Sequence, residues 1–240
     1  MLSNSYQNIV LKNPKSIFLL LVITLLSFGY FAKDFKLDAS SETLLIEGDP
    51  DLEYLREINN RYGSKDFLVL TYTPNEGMIA DSSINNLLSL KYKIQSLDWV
   101  HSVITLLDIP LLSNSEAPLQ ERLESFKTLK DENVDTERGF KEILASPIFR
   151  NFVISEDGKT SGVIIYIKKE ELKNIGSKSE IEIEIYKDTL KKKNHKNITQ
   201  IREVIKSYDD IGKIYLGGIP MITDDMMSFI KSDIIVFGLG

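Results

Sequence analysis

Asp224 and Asp225, two adjacent acids close to the C-terminal end, are the residues of this sequence that come nearest to a catalytic or cation-binding pair. Paired carboxylates can divide acid and base work between them or hold a cation. Spacing identifies no nucleophile or base for them beside the Gly217-Gly218 turn, and no other ligand is marked nearby. With Thr223 they precede a helical stretch, where a hydroxyl and two acids would suit the positive end of the helix dipole. We therefore predict that they cap a helix.

The composition of the chain limits which kinds of catalytic or metal site it could contain. The 240 residues include no cysteine, which excludes a disulfide framework and a thiol-ligated metal. The two histidines, His101 and His195, lie far apart in sequence and give little basis for a zinc site or a histidine-dependent triad. The net charge of -6 argues against nucleic acid as a partner, and Lys191–Lys193 is most simply a solvated helix face. We expect that the domain is not an enzyme, and we assign no catalytic, cofactor-binding or metal-ligating residues.

Other residues that invite a functional interpretation have simpler structural ones. Trp99 precedes Val100 at a predicted junction of helix and strand, where packing is a better interpretation than a substrate cleft. Arg56 and Arg61 share a predicted helix with Glu53 and Glu57 and are expected to form surface ion pairs with them.

The most apolar stretch of the chain is the run Ile17–Ala32, which carries no charge between Lys15 and Lys33. As a helix it would span about 24 Å, enough for a bilayer core once the flanking lysines snorkel. Lys12 and Lys15 precede the run and no acid occurs before Asp34, which favours a cytoplasmic N-terminus. We predict a membrane helix.

A cleaved signal peptide is the alternative interpretation of this run. Ser27 and Gly29 are small enough for a cleavage site, but the bulky Tyr30 and Phe31 follow. The run is also longer than the usual apolar region of a signal peptide.

Hydrophobic periodicity then predicts an α+β domain. Asp49 and Pro50 mark the start of a helix that ends at Gly63. The predicted strands are Phe67–Thr73, Val100–Leu107, Asn151–Ser155, Thr160–Lys168 and Lys213–Leu216. Helical spacing follows the first of these strands (Ile84 to Leu97) and precedes the last (Ile198 to Tyr208). The order strand, helix, strand, strand hairpin, helix, strand is that of the split βαβ in a ferredoxin-like sandwich, with helices on one sheet face.

Three local predictions accompany this order. Asp157 and Gly158 predict a type I′ turn between the two hairpin strands. The segment 111–146 is predicted to hold two helical stretches, one carrying Leu119, Leu123, Phe126 and Leu129 and one carrying Phe140, Ile143 and Leu144. Ile181–Tyr186 alternates like a strand, but the good helix formers after it favour a helix.

Three separated blocks of the chain carry a resemblance to a known family. They are FKLDASSETLLIEGDPDLEYLREINNRYGSKDFLVLTYTP, SPIFRNFVISEDGKTSGVIIYI and YLGGIPMITDDMMSFIKSDIIVFGLG. In this order they resemble the N-terminal part of exporters of the RND superfamily, in the MMPL-like branch. The resemblance implies a cytoplasmic N-terminus, a first membrane helix, an extracytoplasmic porter domain of ferredoxin-like subunits and a second membrane helix.

The expected organisation follows from these observations. Residues 1–16 would be cytoplasmic, 17–32 the first membrane helix, 33–225 an extracytoplasmic porter domain with insertions at 111–146 and 170–196, and 226–240 the start of a second membrane helix, cut short. Because the apolar stretch that begins at Ile234 covers only about a third of a bilayer, the sequence looks truncated at Gly240.

By the same resemblance, the chain would be part of an inner-membrane exporter that uses the proton-motive force on lipophilic or amphiphilic substrates. Its partners would be the bilayer, the remainder of the transporter and a small-molecule or lipid substrate; we also expect a homo-oligomer. The proton-relay carboxylates of the family lie in later membrane helices, so none is assigned here. The alternative is a single-anchored extracytoplasmic binding or sensor domain, which would end naturally at or near Gly240.

Overall fold

A computed structural model describes residues 14–32, 49–62, 66–112, 126–168 and 180–239. Its six helices are α1 Pro14–Ala32, α2 Pro50–Tyr62, α3 Asp81–Gln95, α4 Thr136–Ala145, α5 Glu180–Lys206 and α6 Ile219–Leu239. Its four strands are β1 Phe67–Pro74, β2 Val100–Ile104, β3 Ser161–Ile167 and β4 Gly212–Gly217. The chain divides into two units, residues 1–39 and 40–240.

The described part of the first unit is the apolar helix α1, with 19 residues. At 1.5 Å per residue it is about 28 Å long, close to the thickness of a hydrocarbon core. Its large apolar side chains are exposed; Leu25, for example, is 73% accessible. Within the described ranges it is the one helix long and apolar enough to cross a membrane, and a signal sequence passes the same test.

The second unit is built on a four-stranded antiparallel sheet in the order β2-β3-β1-β4. β1 occupies the middle, with Leu70 opposite Val163 of β3 on one side and Leu216 of β4 on the other. β2 pairs with β3 and carries a bulge between Val100 and Ser102. The α+β prediction is therefore confirmed, and four of the five predicted strands are present in the described residues.

The core lies where α3 and α5, which contact each other, pack on the sheet. Alternate residues of β1 face it, because successive side chains of a strand point to opposite faces. Its fully buried members include Leu68, Leu70 and Tyr72 of β1, Val163 and Ile165 of β3, Leu90 and Ile94 of α3, and Ile198 and Ile201 of α5. Burial raises the pKa of the Tyr72 hydroxyl, and the nearby side chains of Asn86 and Ser83 oppose the shift.

Two helix predictions are confirmed. α2 begins at Pro50, and the Asp49 side chain caps it by accepting a hydrogen bond from the Asp51 N–H at 2.9 Å. Ile181–Tyr186 belongs to α5, which continues without a break to Lys206.

The predicted hairpin is wrong in two respects. Residues 151–155 form no strand: Ile154 alone makes isolated bridges, with Arg150 and Ser161, although the N–H of Ser155 still donates to the carbonyl of Thr160. The turn is not type I′, because Gly158 has a positive φ of 70° and Asp157 does not. The Asp157 carboxylate instead accepts hydrogen bonds from the Ser155 hydroxyl and the Lys159 N–H.

Three element boundaries also differ from prediction. β2 ends at Ile104, and a short 3₁₀ helix, Leu106–Asp108, replaces the predicted end of that strand. The second helical stretch of 111–146 is α4, whereas Leu119 and Leu123 of the first lie outside the described residues. Phe126 and Leu129 are not helical, and the neighbouring Lys127 forms a bridge with Leu111.

Candidate functional site

The junction of α5, β4 and α6 is the candidate site, because it joins the sheet to the helix predicted to enter the membrane. The chain passes from β4 into α6 through Gly218 alone, whose φ is +119°. A Cβ at this position would lie 3.0 Å from the carbonyl oxygen of Phe67, so the backbones of β1 and the turn approach closely. Only glycine combines this φ with this approach.

Both acids singled out in the sequence lie in this junction and bind α5. Asp224 is 7% exposed and its carboxylate lies 2.9 Å from Nδ1 of His195. The Asp225 carboxylate accepts two hydrogen bonds from Nη2 of Arg202, at 2.7 and 2.9 Å. His195 and Arg202 are seven residues apart, two helical turns, so both project from one face of α5.

The capping prediction for Thr223, Asp224 and Asp225 is wrong. α6 begins at Ile219, so the three residues lie within the helix and not before it. Pro220 stands in the first turn, where a missing N–H is tolerated, and its carbonyl accepts a hydrogen bond from the Asn194 side chain at 2.8 Å. The acids therefore join two helices.

The contacts of the two acids attach α6 to α5. His195 and Asp224 resemble the base and orienting acid of a triad, but a triad also needs a nucleophile beside the free ring nitrogen. Among the described residues, Asp224 is the one hydrogen-bond partner of the His195 ring. In the same ranges no three acidic or histidine side chains gather closely enough to hold a metal ion.

A groove of about 350 Å³ opens beside these ion pairs. It is lined by Arg202, Ile205, Lys206 and Asp209 at the end of α5, by Ile214, Tyr215 and Leu216 of β4, and by Met221 and Asp225 of α6. Tyr215 is 66% exposed, whereas Ile214 and Leu216 are half-buried. The lining combines apolar and charged side chains.

A second depression of about 330 Å³ lies where α3 turns into β2, beside α5. Trp99 lines it, but this side chain is 7% exposed and its indole N–H donates to the Gln200 side chain at 2.9 Å. The packing interpretation of Trp99 is therefore supported. Arg61 forms the expected surface ion pair with Glu57, at 2.9 Å.

A polar cluster around Asp108 connects α3 to the short 3₁₀ helix after β2. The Asp108 carboxylate binds Lys91, and it accepts hydrogen bonds from the N–H and hydroxyl of Thr105 at 2.9 and 3.0 Å. Lys130 lies 3.3 Å from the same carboxylate. Burial alone would raise the pKa of Asp108, but the hydrogen bonds from Lys91 and Thr105 outweigh it and hold that pKa below its ordinary value.

Sequence reasoning found the acids of the junction but missed their partners. The spacing of His195 and Arg202 on a predicted helix was the available signal, since it places both on one face. It also missed the Asp108 cluster, whose Thr105-x-x-Asp108 spacing is that of a capping box.

The sequence matches no model of a known protein family, and no curated protein is significantly similar to it. The function proposed below therefore depends on the geometry of this chain and on the three sequence blocks described above.

Proposed function

We propose that this chain is the N-terminal segment of a proton-motive-force-driven RND-type membrane exporter of lipophilic or amphiphilic substrates. It supplies the first membrane helix, α1, and the first porter domain, whose sheet with strand order β2-β3-β1-β4 is the ferredoxin-like arrangement. The N-terminus lies in the cytoplasm and the second unit outside the inner membrane. The proposal assigns no catalytic step and no proton-relay residue to this chain.

The observation that carries the proposal is the course of α6. This helix of 21 residues starts against the sheet, is tied to α5 by Asp224 and Asp225, and ends in exposed apolar residues. Ile234, Ile235, Val236 and Phe237 are 50 to 83% exposed. Consecutive apolar side chains that point in all directions around a helix are typical of a lipid-facing segment.

The rigidity of this connection suits a transporter. α6 has no proline after Pro220, so the ion pairs of the junction and the apolar end belong to one unbroken rod. A displacement of α6 within the membrane would therefore reach α5, and with it the sheet, without passing through a flexible linker.

A single-anchored extracytoplasmic binding or sensor domain is the second candidate. The observation that favours it is the charge of α6, which carries Lys231 and Asp233 before its apolar end. Among the described helices, α1 alone has the length and hydropathy needed to span a membrane, and α6 does not.

The orientation can be tested because the chain has no cysteine of its own. Single-cysteine variants of the full chain would be treated with a membrane-impermeant maleimide before and after lysis of spheroplasts. We expect Glu156→Cys, in the exposed turn before β3, to react before lysis and Ser3→Cys only after it. The opposite pattern would refute the orientation. If the mature Ser3→Cys variant no longer contains the introduced thiol, α1 is a cleaved signal peptide.

A third position separates the two candidates. Phe237 is 83% exposed, so Phe237→Cys is shielded from aqueous maleimide if α6 enters the bilayer and reacts rapidly if it does not. DNA sequence downstream of the Gly240 codon gives an independent answer. Further hydrophobic spans in frame, with an acid inside a middle span, support the exporter; a stop codon supports the single-anchored domain.

A further inference from the structure

One face of α5 borders the depression of about 330 Å³ described above, which we call the Trp99 depression. Four side chains of α5 lie along it, and their spacing of three, four and seven residues places them on one face of the helix. They are Lys193, Lys196, Asn197 and Gln200. Residues 96–99, which connect α3 to β2, form the opposite wall. Small-ligand sites begin at about 300 Å³, so the depression can hold a group of a few atoms.

The wall formed by residues 96–99 is held in place from two sides. The ammonium group of Lys168, directly after β3, donates to the carbonyl of Asp98, and the N–H of Lys168 donates to the carbonyl of Trp99 at 2.9 Å. On the other side the indole N–H of Trp99 donates to Gln200 of α5. These contacts fix the two walls relative to each other, and a preorganised site loses less entropy on binding.

The side-chain amide of Asn197 is the group that points to a ligand. Asn197 is 8% exposed and lines the depression, yet its amide makes no hydrogen bond with any residue that the structure describes. A buried amide without a partner destabilises a fold, so its presence calls for an explanation. Gln200, one turn further along, accepts from Trp99 with its carbonyl oxygen, which leaves its NH₂ group uncommitted. Two amides of α5 therefore offer N–H donors to a molecule in the depression.

We propose that the Trp99 depression binds a phosphate group, either free or on a small organic molecule. Lys196 adds an ammonium group to the amide donors of Asn197 and Gln200, and donors of this kind fit an anionic acceptor. The three side chains extend over about 6 Å of helix, which suits a tetrahedral phosphate better than a planar carboxylate. Among the described residues that line the depression, Asp98 is the one acid, so a cation finds a single partner there.

The inference does not depend on export, and Trp99 reports on it directly. Trp99 is the one tryptophan of the chain and is hydrogen-bonded to Gln200. Its fluorescence would be followed in the full chain in an uncharged detergent while inorganic phosphate is added, with chloride at equal ionic strength as the control for screening. Broadening of the ³¹P resonance of phosphate is the second readout. We expect saturable binding of phosphate and no response to chloride, and no binding by either method at millimolar phosphate would overturn the proposal.

A matched pair of lysine variants locates the site. Lys196→Gln removes a positive charge that lines the depression, and Lys192→Gln removes one from an exposed position of the same helix outside the lining. Because a hydrogen bond to a charged group is lost, the Kd for phosphate should rise about tenfold or more in Lys196→Gln. It should change little in Lys192→Gln. Equal weakening in the two variants would refute the site, since it would mean that phosphate follows the general charge of α5.

Asn197→Leu separates a ligand-binding amide from a structural one. Leucine has a similar size, and the amide that it replaces has no partner in the described fold, so the urea midpoint should stay the same or rise while phosphate binding is lost. A lower midpoint with binding retained would show that Asn197 serves the fold and would contradict the proposal. Asp98→Asn should strengthen phosphate binding, because it removes a negative charge from the lining.

Hexyl phosphate, measured beside inorganic phosphate, identifies the source of the group. Tighter binding of hexyl phosphate supports a phosphate carried by a small organic molecule with an apolar part, and equal binding supports the free anion. Failure of both compounds to bind would overturn the proposal.

Discussion

Removal of the Asp108 carboxylate should destabilise the domain far more than removal of its lysine partner. Asp108→Ala leaves the Lys91 ammonium, 10% exposed, without its anion and also removes the acceptor for Thr105. Loss of one partner from a buried pair costs about 3 to 5 kcal/mol, and the 20% exposure of Asp108 places this case near 3 kcal/mol. The lost capping box adds about 1 kcal/mol. We therefore expect a loss of about 4 kcal/mol.

Lys91→Met should cost much less, about 1 kcal/mol, because Met fills the volume of the lysine stem and the carboxylate keeps its other donors. Lys130 remains 3.3 Å away and Thr105 still donates twice. The double variant should therefore be more stable than Asp108→Ala alone, since it no longer buries an unpaired ammonium.

A matched control occurs in the same chain. Asp131 accepts from the N–H and hydroxyl of Thr128 at 2.7 and 2.8 Å, the same pattern as Thr105 and Asp108, but it lies on the surface. Because it has no buried lysine to leave behind, Asp131→Ala should cost no more than about 1 kcal/mol.

The assay is urea unfolding of the full chain in detergent, followed by the fluorescence of Trp99, the one tryptophan of the chain. Since folding lowers the pKa of Asp108, its stabilising contribution is complete above the ordinary value of 3.8 and is lost as the pH falls below it. In Asp108→Ala this part of the acid dependence should disappear. Equal losses in Asp108→Ala and Lys91→Met would refute the assigned asymmetry.

Three further outcomes follow from other contacts. Gly212→Ala should lower the free energy of unfolding by at least about 2 kcal/mol, because the new Cβ would lie 2.5 Å from a carbonyl oxygen of β1. Gly77→Ala is the control in thermal unfolding and should change stability little, since a Cβ there would have nothing within 4 Å. Gln200→Leu removes the acceptor of the Trp99 indole, so we expect a loss of about 1 kcal/mol and a shifted emission maximum. Asp225→Asn breaks a partly exposed pair and should cost less than about 1 kcal/mol in urea unfolding, and a larger loss would show that the junction supports the whole domain.

The sequence predicts those elements whose signals are local. The β-branched and aromatic run of β1 and the Asp49-Pro50 start of α2 needed no knowledge of distant residues. Asp157-Gly158 correctly indicated a turn, but its type depends on side-chain hydrogen bonds. The Asp157 carboxylate holds the Ser155 hydroxyl and the Lys159 N–H, which favours a turn with positive φ at the glycine alone.

The candidate site is less predictable because the structural role of its residues depends on contacts that are distant in sequence. Asp224 and Asp225 look like a cap when only their neighbours are considered. The Gly218 and Pro220 signals mark the true start of the helix, and the acids are then free to bind α5, whose position is set by the core. Likewise, nothing local indicates that Lys91 is buried beside Asp108.

The central position of β1 also constrains how the domain can fold. Its two hydrogen-bonded neighbours, β3 and β4, are made about 100 and about 150 residues later in the chain. Until Gly217 has been synthesised, the apolar strand Phe67–Pro74 has one edge without a partner. Non-local pairing of this kind is slow, and a waiting strand is a site for aggregation. The nascent domain should therefore depend on holding factors for most of its synthesis, and variants that slow the arrival of β4 should reduce yield more than they reduce the stability of the finished fold.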